Sequence, residues 1–344
     1  MNKPINTLDI STASIIRVII VFIALWFLYF IRDIIAIVFV SIIIAAALSP
    51  SVDKLEKKKI PRAVSIIVLY LLVVGFLGAF IYFVFPPMIS QIQQLADSLP
   101  SYFKTFSNFI ISLRDVSTNG LLNASQASLS SLSNFLGEFI NNIFNTTIGF
   151  FNGAAALLMI FVLTLYFLLD ENGIKKFFVS LMPIKQKSKI ISITSKIGKK
   201  LGGWLRGQII LAIAVGVVVY AGLFLMKVPY ALTLAILAGL LEIIPIIGPI
   251  IAAIPAILVA FTISPTIALI VTAFYILVQE LENKLLVPKI MQHAVGLNPI
   301  TIIIIILIGA KLMGIIGVLL AVPVAAVLYV ILEEWHILAD QNKK

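Results

Sequence analysis

The chain has 344 residues, of which 61% are hydrophobic and only 12% are charged. A soluble domain carries about twice that charged fraction, so the composition excludes an ordinary soluble protein and indicates a polytopic membrane protein. The formal net charge is +10. Basic residues of membrane proteins contact anionic headgroups, so we expect membrane lipids and no nucleic acid as partners. The chain contains no cysteine, which excludes disulfides and thiolate metal sites.

Five apolar runs in the first two thirds of the chain approach the length of a membrane-spanning helix: 15–31, 34–49, 64–85, 148–169 and 208–226. The first two runs are separated only by Arg32 and Asp33, and this spacing predicts a tight helical hairpin at the N-terminus. The N-terminal stretch has neither the basic segment nor the small-residue cleavage site of a signal peptide, so we expect the first run to be retained.

Basic residues concentrate in two segments, 50–62 and 170–206, whereas the stretch between them carries few. Lys and Arg are enriched in cytoplasmic loops, so we expect both segments to face the cytoplasm and residues 86–146 to lie outside. The N-terminal hairpin and the C-terminal lysines then place both termini in the cytoplasm. The expected location is the cell (cytoplasmic) membrane, which the chain crosses several times.

The stretch 86–146 is predicted to be an extracellular amphipathic helical insert. Its apolar side chains recur at steps of three and four, as at Leu129, Leu132, Leu136 and Phe139, which is the pattern of one helical face. Three covers for that face remain open: a second helix of the insert, the membrane surface or a neighbouring subunit. The last of these predicts a homo-oligomer held partly by the insert.

The second half contains two apolar segments, 230–262 and 300–332, that are too long for one upright span of about 20 residues. Each is interrupted near its middle, the first by EIIPIIGP (242–249) and the second by GAKLMGIIG (309–317). Proline lacks a backbone donor and clashes with the preceding turn, so a straight helix through 242–249 is disfavoured. Each segment is either a re-entrant helical hairpin or a single tilted crossing, and the breaks favour the hairpin.

An ionisable side chain lies beside each break, Glu242 in the first segment and Lys311 in the second. A charge at membrane depth is costly unless it is paired or hydrated, and broken backbone is tolerated there only inside protein or along a wet cavity. The pattern therefore predicts a substrate or ion pathway, which is where transporters place such breaks. The alternatives are a prolyl kink without a ligand, and a Lys311 that pairs with a carboxylate to hold the fold.

A third polar group, in QELENKLLVPKI (279–290), adds Glu280, Glu282 and Asn283 to the predicted pathway. Glu282 and Lys284 have an alternative interpretation, because charged residues also cap helices at the cytoplasmic interface, where lysine reaches the headgroups. Four glycines, in contrast, predict close helix packing: Gly198, Gly202, Gly203 and Gly207.

Four segments, in this order, carry a resemblance to a known family: GQIILAIAVGVVVY (207–220), KVPYALTLAILAGLLEIIPIIGPIIAAIPA (227–256), QELENKLLVPKIMQHAVGLNPI (279–300) and GIIGVLLAVPVAAVLYVIL (314–332). They resemble the autoinducer-2 exporter family, also called PerM-like permeases or AI-2E family transporters, over nearly the whole chain. The resemblance implies a membrane transporter that assembles as a homo-oligomer, expected to be a pentamer. Members are associated with export of autoinducer-2 or with sodium(lithium)/proton antiport, so the resemblance alone does not fix the substrate.

The resemblance also implies which residues belong to the family motif. The carried-over positions are Glu242, Pro245, Gly248 and Pro249; Glu280, Glu282, Asn283 and Pro288; Gly296, Leu297 and Pro299; and Gly314, Gly317 and Pro323. Of these, Pro288, Gly296, Pro299 and Pro323 are assigned structural roles, and the others except Leu297 join Lys311 in the predicted pathway. Glu242 departs from the neutral polar residue that we expect in many relatives, which favours a cation or proton over a neutral sugar-like substrate.

The predicted fold is an all-α integral membrane protein with about seven or eight transmembrane helices, two helical hairpins or broken segments and the external insert. Its predicted parts are N-terminal helices (1–85), the insert (86–146), a transmembrane helix (147–170), a basic cytoplasmic segment (171–206), the motif-rich transport domain (207–335) and a cytoplasmic tail (336–344).

The predicted function is ion-driven export of a small molecule such as autoinducer-2, with sodium(lithium)/proton antiport or a passive channel as alternatives. Carboxylates at membrane depth favour ion coupling, which a passive pore does not require. An intramembrane enzyme is disfavoured because the chain has no HExxH, GxSG or GxGD motif. No catalytic residue, metal site or cofactor is predicted.

Overall fold

The structure is a computed structural model that describes residues 12–76, a few positions between 78 and 101, and residues 154–170, 187–245, 247–291 and 298–341. Its helices are α1 (Thr12–Phe30), α2 (Arg32–Glu56), α3 (Arg62–Phe80), α4 (Ala154–Leu169), α5 (Lys187–Leu225), α6 (Ala231–Leu241), α7 (Ile247–Ile263), α8 (Pro265–Leu281), α9 (Val287–Met291) and α10 (Pro299–Gln341). A π-helix, Glu282–Leu286, joins α8 to α9. Five of the described helices are long and apolar enough to cross a membrane. The predicted all-α membrane fold is confirmed, while nearly all of the predicted insert 86–146 lies outside the described residues.

The first two helices form one nearly continuous helix rather than a hairpin. Ile31, between them, has φ −94° and ψ 11°, and the bonds Ile31 N to Phe27 O and Ile35 N to Ile31 O, both 3.0 Å, carry the helical ladder across it. The predicted hairpin is wrong because Arg32 and Asp33 interrupt the apolar pattern without interrupting the backbone, which only proline or glycine does readily. The prediction of a cytoplasmic N-terminus depended on that hairpin, so the structure does not support it.

Helix α2 packs closely against α5 at the place where a proline interrupts its ladder. Pro50 has no N–H, so the carbonyl of Ala46 lacks its helical donor, and Arg206 of α5 supplies one, with Nη1 at 3.3 Å from Ala46 O and 3.0 Å from Ala47 O. Gly202 lies against the same backbone, where a Cβ atom would stand 2.2 Å from the oxygen of Ala46. The glycine therefore permits the approach that lets Arg206 reach these carbonyls.

This contact predicts different effects for two adjacent glycines of α5. Gly202→Ala should lower the free energy of unfolding by about 1–3 kcal/mol, because its methyl group meets backbone that cannot move away. Gly203→Ala places its Cβ more than 4 Å from every described residue outside its own helix turn and should raise stability by about 0.5–1 kcal/mol, the usual gain in a helix. Thermal unfolding in detergent checks both, and equal midpoints for the two variants would contradict the contact.

The first interrupted segment is a helical hairpin, called hairpin 1 (residues 231–263). Its first arm, α6, has 11 residues and is about 16 Å long, which is too short to cross a hydrocarbon core of about 30 Å. The turn after it is tight, since a Cβ atom at Gly248 would lie 1.9 Å from the carbonyl oxygen of Leu241. Both arms contribute to one apolar core with α5 and α8, through residues such as Leu234 and Ala256.

The second interrupted segment is also a hairpin, called hairpin 2 (residues 299–341), although α10 is helical on both sides of its break. Met313 (φ −139°, ψ 16°) and Gly314 (φ 59°, ψ −136°) leave the helical conformation, and the positive φ of Gly314 favours glycine. Gly309 and Gly317 would be about 12 Å apart in a straight helix. Instead, a Cβ atom at Gly317 would stand 1.9 Å from the oxygen of Gly309, so the two arms fold back on each other.

Helix α5 has 39 residues, is about 58 Å long and contacts both hairpins. The positions of these contacts along α5 show in which direction each hairpin points. Hairpin 1 starts from the turn at the C-terminal end of α5, and its tip reaches back to Gln208, which binds the backbone of Glu242. The predicted boundary between a basic segment and a transport domain, at 206/207, falls inside this continuous helix.

Hairpin 2 points the other way along α5. Its second arm meets the N-terminal part of α5, where Lys196 pairs with Glu334 and the Lys200 ammonium lies 4.5 Å from the ring centre of Tyr329. Its tip lies far from these contacts along the arm, next to α2, where Arg32 Nη1 donates to Leu312 O at 3.1 Å. The two hairpins therefore enter the bundle from opposite ends.

Candidate ion and substrate site

Glu242 occupies the tip of hairpin 1, directly after the last residue of α6. Its N–H makes the last regular helical bond, to Ala238 O at 3.0 Å, and Pro245 prevents the helix from continuing. The side chain is only 2% exposed, and its Oε2 atom has no hydrogen-bond partner among the described residues. The backbone oxygen of Glu242 accepts a hydrogen bond from Gln208 Nε2 on α5, which fixes the tip against that helix.

A second buried carboxyl group faces the first one. Glu282, at the junction of α8 and the π-helix, is 4% exposed, and its side chain lies within hydrogen-bonding reach of the Glu242 side chain. Gln279, on the last turn of α8, donates from Nε2 to Glu282 Oε2 at 3.3 Å. We call Glu242 and Glu282 the carboxyl pair. Gln208 binds the backbone of Glu242, and Gln279 binds the carboxyl group of Glu282.

The π-helix divides the polar residues of QELEN between two faces. Glu282 is buried and Gln279 is partly buried, whereas Glu280, Asn283 and Lys284 are exposed, and Glu280 pairs with Lys284 at 2.5 Å. A π-turn displaces the residues that follow it relative to a regular helix and occurs often at functional sites. Of the three pathway residues predicted in this stretch, only Glu282 therefore reaches Glu242.

The carboxyl pair has no basic neighbour within ion-pairing distance in the part of the chain that the structure describes. Two facing carboxylates in a site with little water repel each other strongly, because the local dielectric is low. One proton or one small cation between them removes that repulsion, and carboxylate and amide oxygens are suitable ligands for a hard cation. The arrangement can therefore hold a proton or a cation in exchange for the other.

Lys311 does not join this site. It is exposed at the tip of hairpin 2, beside Leu312, and makes no ion pair with any described residue. The sequence analysis placed Lys311 in the same predicted pathway as Glu242, with pairing to a carboxylate that holds the fold as the alternative. In the structure the described partner of Glu242 is instead another acidic residue, Glu282.

The remaining predicted residues occupy turns, helix ends and positions within helices. Gly248 is buried in the first turn of α7 with Pro249 beside it, and Gly314 and Gly317 form the turn and the arm contact of hairpin 2. Three prolines lie in or at helices: Pro288 exposed in α9, Pro299 at the start of α10 and Pro323 within α10. Gly296 lies outside the described residues.

Sequence reasoning missed Gln208. Its signal was nevertheless present, since it is an amide side chain at the start of the apolar run 208–226, and it is 3% exposed in the structure. A buried amide needs hydrogen-bond partners, so such a residue in an apolar helix indicates a polar contact with a neighbouring element.

Comparisons with known proteins give one matching family and several related sequences. The sequence model that describes the AI-2E transporter family matches residues 15–337 of the chain. The chain is 29% identical to YueF of Bacillus subtilis (strain 168) over 288 residues, which cover 80% of this chain and 77% of YueF. It is 28% identical to YrrI of the same organism over 299 residues, 85% and 84% of the two chains, and 24% identical to YhhT of Escherichia coli (strain K12) over 308 residues, 88% and 84%. All three are named as putative transport proteins.

Proposed function

Because this chain belongs to the AI-2E family of transporters, we propose that it exports a small molecule across the membrane, driven by an ion gradient acting through Glu242 and Glu282. The observation that carries the proposal is the buried carboxyl pair at the tip of hairpin 1, where no described residue donates a hydrogen bond to Glu242 Oε2. A family transporter that keeps two acidic groups face to face inside its bundle needs an ion to neutralise them.

In this mechanism a proton and a small monovalent cation compete for the carboxyl pair. The pair lies where a helical hairpin ends inside the bundle, which is where transporters with broken helices bind ions and substrates. Exchange of one ion for the other changes the charge at the tip of hairpin 1. That change alters how strongly the tip is held against α5 and α8 and so couples ion movement to substrate movement.

Autoinducer-2 is the first substrate to test, because the resemblance to the exporter family points to it. Sodium(lithium)/proton antiport without an organic substrate is the second candidate, and the pair of facing carboxyl groups favours it, since such a pair can take either ion. A passive channel is the third candidate, and nothing in its mechanism requires the buried pair.

Transport by proteoliposomes distinguishes these candidates. Purified protein is reconstituted, and uptake and efflux of autoinducer-2 and a small panel of organic solutes are followed with proton or sodium gradients imposed separately. We expect accumulation of one solute above equilibrium only when a gradient is present. Movement of sodium against a proton gradient without any solute would favour the antiporter, and flux that stops at equilibrium under every gradient would overturn ion coupling.

We further propose that the protein lies in the cell membrane with its C-terminus in the cytoplasm, in contact with lipid, and that it forms a homo-oligomer, expected to be a pentamer. The basic residues of α5 and of the stretch after α2 support this orientation, since lysines are enriched on the cytoplasmic side. Many large apolar side chains on the described helices are exposed in a single chain and need lipid or neighbouring subunits as cover.

The orientation predicts which engineered cysteines an impermeant thiol reagent reaches in intact cells. Cysteines at the exposed positions Lys284 and Lys289 should stay unlabelled. A cysteine at Lys227, which is exposed in the turn after the C-terminal end of α5, should be labelled. The chain has no cysteine of its own, so each signal comes from one site. The reverse pattern would invert the proposed topology.

A further inference from the structure

A cavity of about 180 Å³ lies between α5 and the end of α8. We call it the aliphatic cavity, because all six of its lining side chains are valines or leucines: Val215 and Val218 of α5, Val278 and Leu281 of α8, and Leu285 and Leu286 of the π-helix. An apolar cavity of about 150 Å³ in a protein core stays dry and binds benzene. A space of this size and lining therefore accepts hydrocarbon rather than water or an ion.

The aliphatic cavity opens away from the protein core. Val215 and Val278 are buried, whereas Val218, Leu281 and Leu285 are 41%, 42% and 59% exposed. Both α5 and α8 are among the helices that are long and apolar enough to cross a membrane. The exposed side of the cavity therefore faces the acyl chains of the bilayer unless another subunit covers it.

Lys289 of α9 places a positive charge beside the aliphatic cavity. It follows Leu285 and Leu286 by four and three residues, so it lies one helical turn beyond them on the same side of the helix. Lys289 is exposed and makes no ion pair with any described residue, whereas Lys284 is paired with Glu280. An anionic group at this end of the cavity therefore meets no competing carboxylate among the described residues.

The distance from the cavity to this charge matches the dimensions of one lipid. Lys289 follows Val278 by eleven residues, about 16 Å of helix. One leaflet contributes about 15 Å of hydrocarbon to a bilayer, so a lipid with its chain beside Val278 has its phosphate group near the level of Lys289. Helices α8 and α9 both contact α5, which keeps the two parts of the site on one side of the bundle.

We propose that the aliphatic cavity holds an acyl chain of an anionic phospholipid whose phosphate group is bound by Lys289. The chain fills the gap between α5, which carries Gln208, and the end of α8, which leads into Glu282. The lipid thus supports the packing of the two helices that position the carboxyl pair. Its binding requires no ion gradient and does not depend on the proposed function.

The test uses purified full-length protein in detergent and a phosphatidylglycerol that carries a diazirine in one acyl chain. Crosslinks formed on illumination are mapped by mass spectrometry of peptides. Three competitors separate the parts of the ligand: dioleoylphosphatidylglycerol has both the chains and an anionic headgroup, dioleoylphosphatidylcholine has the same chains without net charge, and glycerol 3-phosphate has the phosphate group without a chain.

Two variants change the two parts of the site separately. Val218→Phe fills the aliphatic cavity, and its matched control is Val217→Phe, at a neighbouring position that is 62% exposed and does not line the cavity. Lys289→Gln removes the positive charge, and its matched control is Lys58→Gln, at an exposed lysine in the turn after α2.

In the wild type we expect crosslinks on both walls of the cavity, within residues 215–218 and 278–286. Dioleoylphosphatidylglycerol should displace the probe at about one fifth of the concentration that dioleoylphosphatidylcholine needs, because one lysine near a membrane surface supplies about that preference. Lys289→Gln should respond equally to the two lipids. Val218→Phe should lose most of the crosslinks, and both control variants should match the wild type.

Equal crosslinking of Val218→Phe and Val217→Phe, or a retained preference for phosphatidylglycerol in Lys289→Gln, would overturn the lipid site. Absence of crosslinks from both walls in the wild type, which is the result if a neighbouring subunit covers the cavity, would also overturn it. Displacement by glycerol 3-phosphate alone would show a phosphate site without an acyl chain. Thermal unfolding is measured without added lipid, and Leu285→Phe, on the opposite wall, replaces Val218→Phe if the midpoint of that variant falls.

Discussion

Glu242→Gln should abolish the dependence of transport on an imposed ion gradient while leaving the fold intact. The amide has the shape of the carboxyl group and can donate a hydrogen bond to Glu282, so the tip of hairpin 1 stays filled and held by Gln208. A gradient of one pH unit supplies about 1.4 kcal/mol per proton, enough for about tenfold accumulation. The wild type should show that accumulation in proteoliposomes, and the variant should show none.

Glu280→Gln is the matched control for this prediction. Glu280 lies two residues from Glu282 in the chain, but it is exposed and paired with Lys284, so its substitution should leave gradient dependence unchanged. Glu282→Gln should behave like Glu242→Gln, because either amide removes one of the two negative charges. Unchanged gradient dependence in Glu242→Gln would make Glu242 a structural residue and would overturn the coupling role of the carboxyl pair.

Gly248→Ala should be the most damaging small substitution in hairpin 1. Its Cβ would stand 1.9 Å from the carbonyl oxygen and 2.6 Å from the carbonyl carbon of Leu241, and both atoms belong to the backbone of the turn that positions Glu242. Because backbone cannot swing aside as a side chain does, we expect a loss of about 1–3 kcal/mol in the free energy of unfolding. We also expect loss of ion-coupled transport, since the carboxyl groups of Glu242 and Glu282 would no longer face each other.

Gly216→Ala provides a comparison within the same bundle. Gly216 of α5 faces hairpin 1, but the nearest atom to its added Cβ is Ala235 O at 3.4 Å, which is close to ordinary contact. This variant should unfold and transport nearly as the wild type does. Equal melting temperatures and equal transport for the two alanine variants would show that the turn of hairpin 1 is looser than the structure has it.

The two hairpins could be predicted from the sequence because their signals are strong and local. Prolines at 245 and 249 and glycines at 309, 314 and 317 interrupt segments that are too long for one span, and each of these residue types acts on the backbone directly. Glu242 could be singled out for the same reason, as an acidic residue in an apolar segment.

The N-terminal hairpin was predicted wrongly, and the pairing of Glu242 with Glu282 was not predicted. Both failures have a physical reason. A charged pair such as Arg32 and Asp33 interrupts hydrophobicity but not the helix, so it gives no information on chain direction. The pairing of Glu242 with Glu282 depends on how the end of α8 and its π-helix meet hairpin 1. That is a tertiary contact, and the spacing of Glu280, Glu282 and Asn283 does not reveal which of them points inward.

If Glu242 and Glu282 form one site at which a cation displaces a proton, then binding of a cation must release protons from the protein. Purified protein is held in weakly buffered detergent with a pH indicator, and sodium, lithium or choline chloride is added. We expect proton release with sodium or lithium, and none with choline, from the wild type and Glu280→Gln. We expect no release from Glu242→Gln or Glu282→Gln. Absence of release from the wild type with both small cations, or equal release from Glu242→Gln, would show that the two residues do not form such a site.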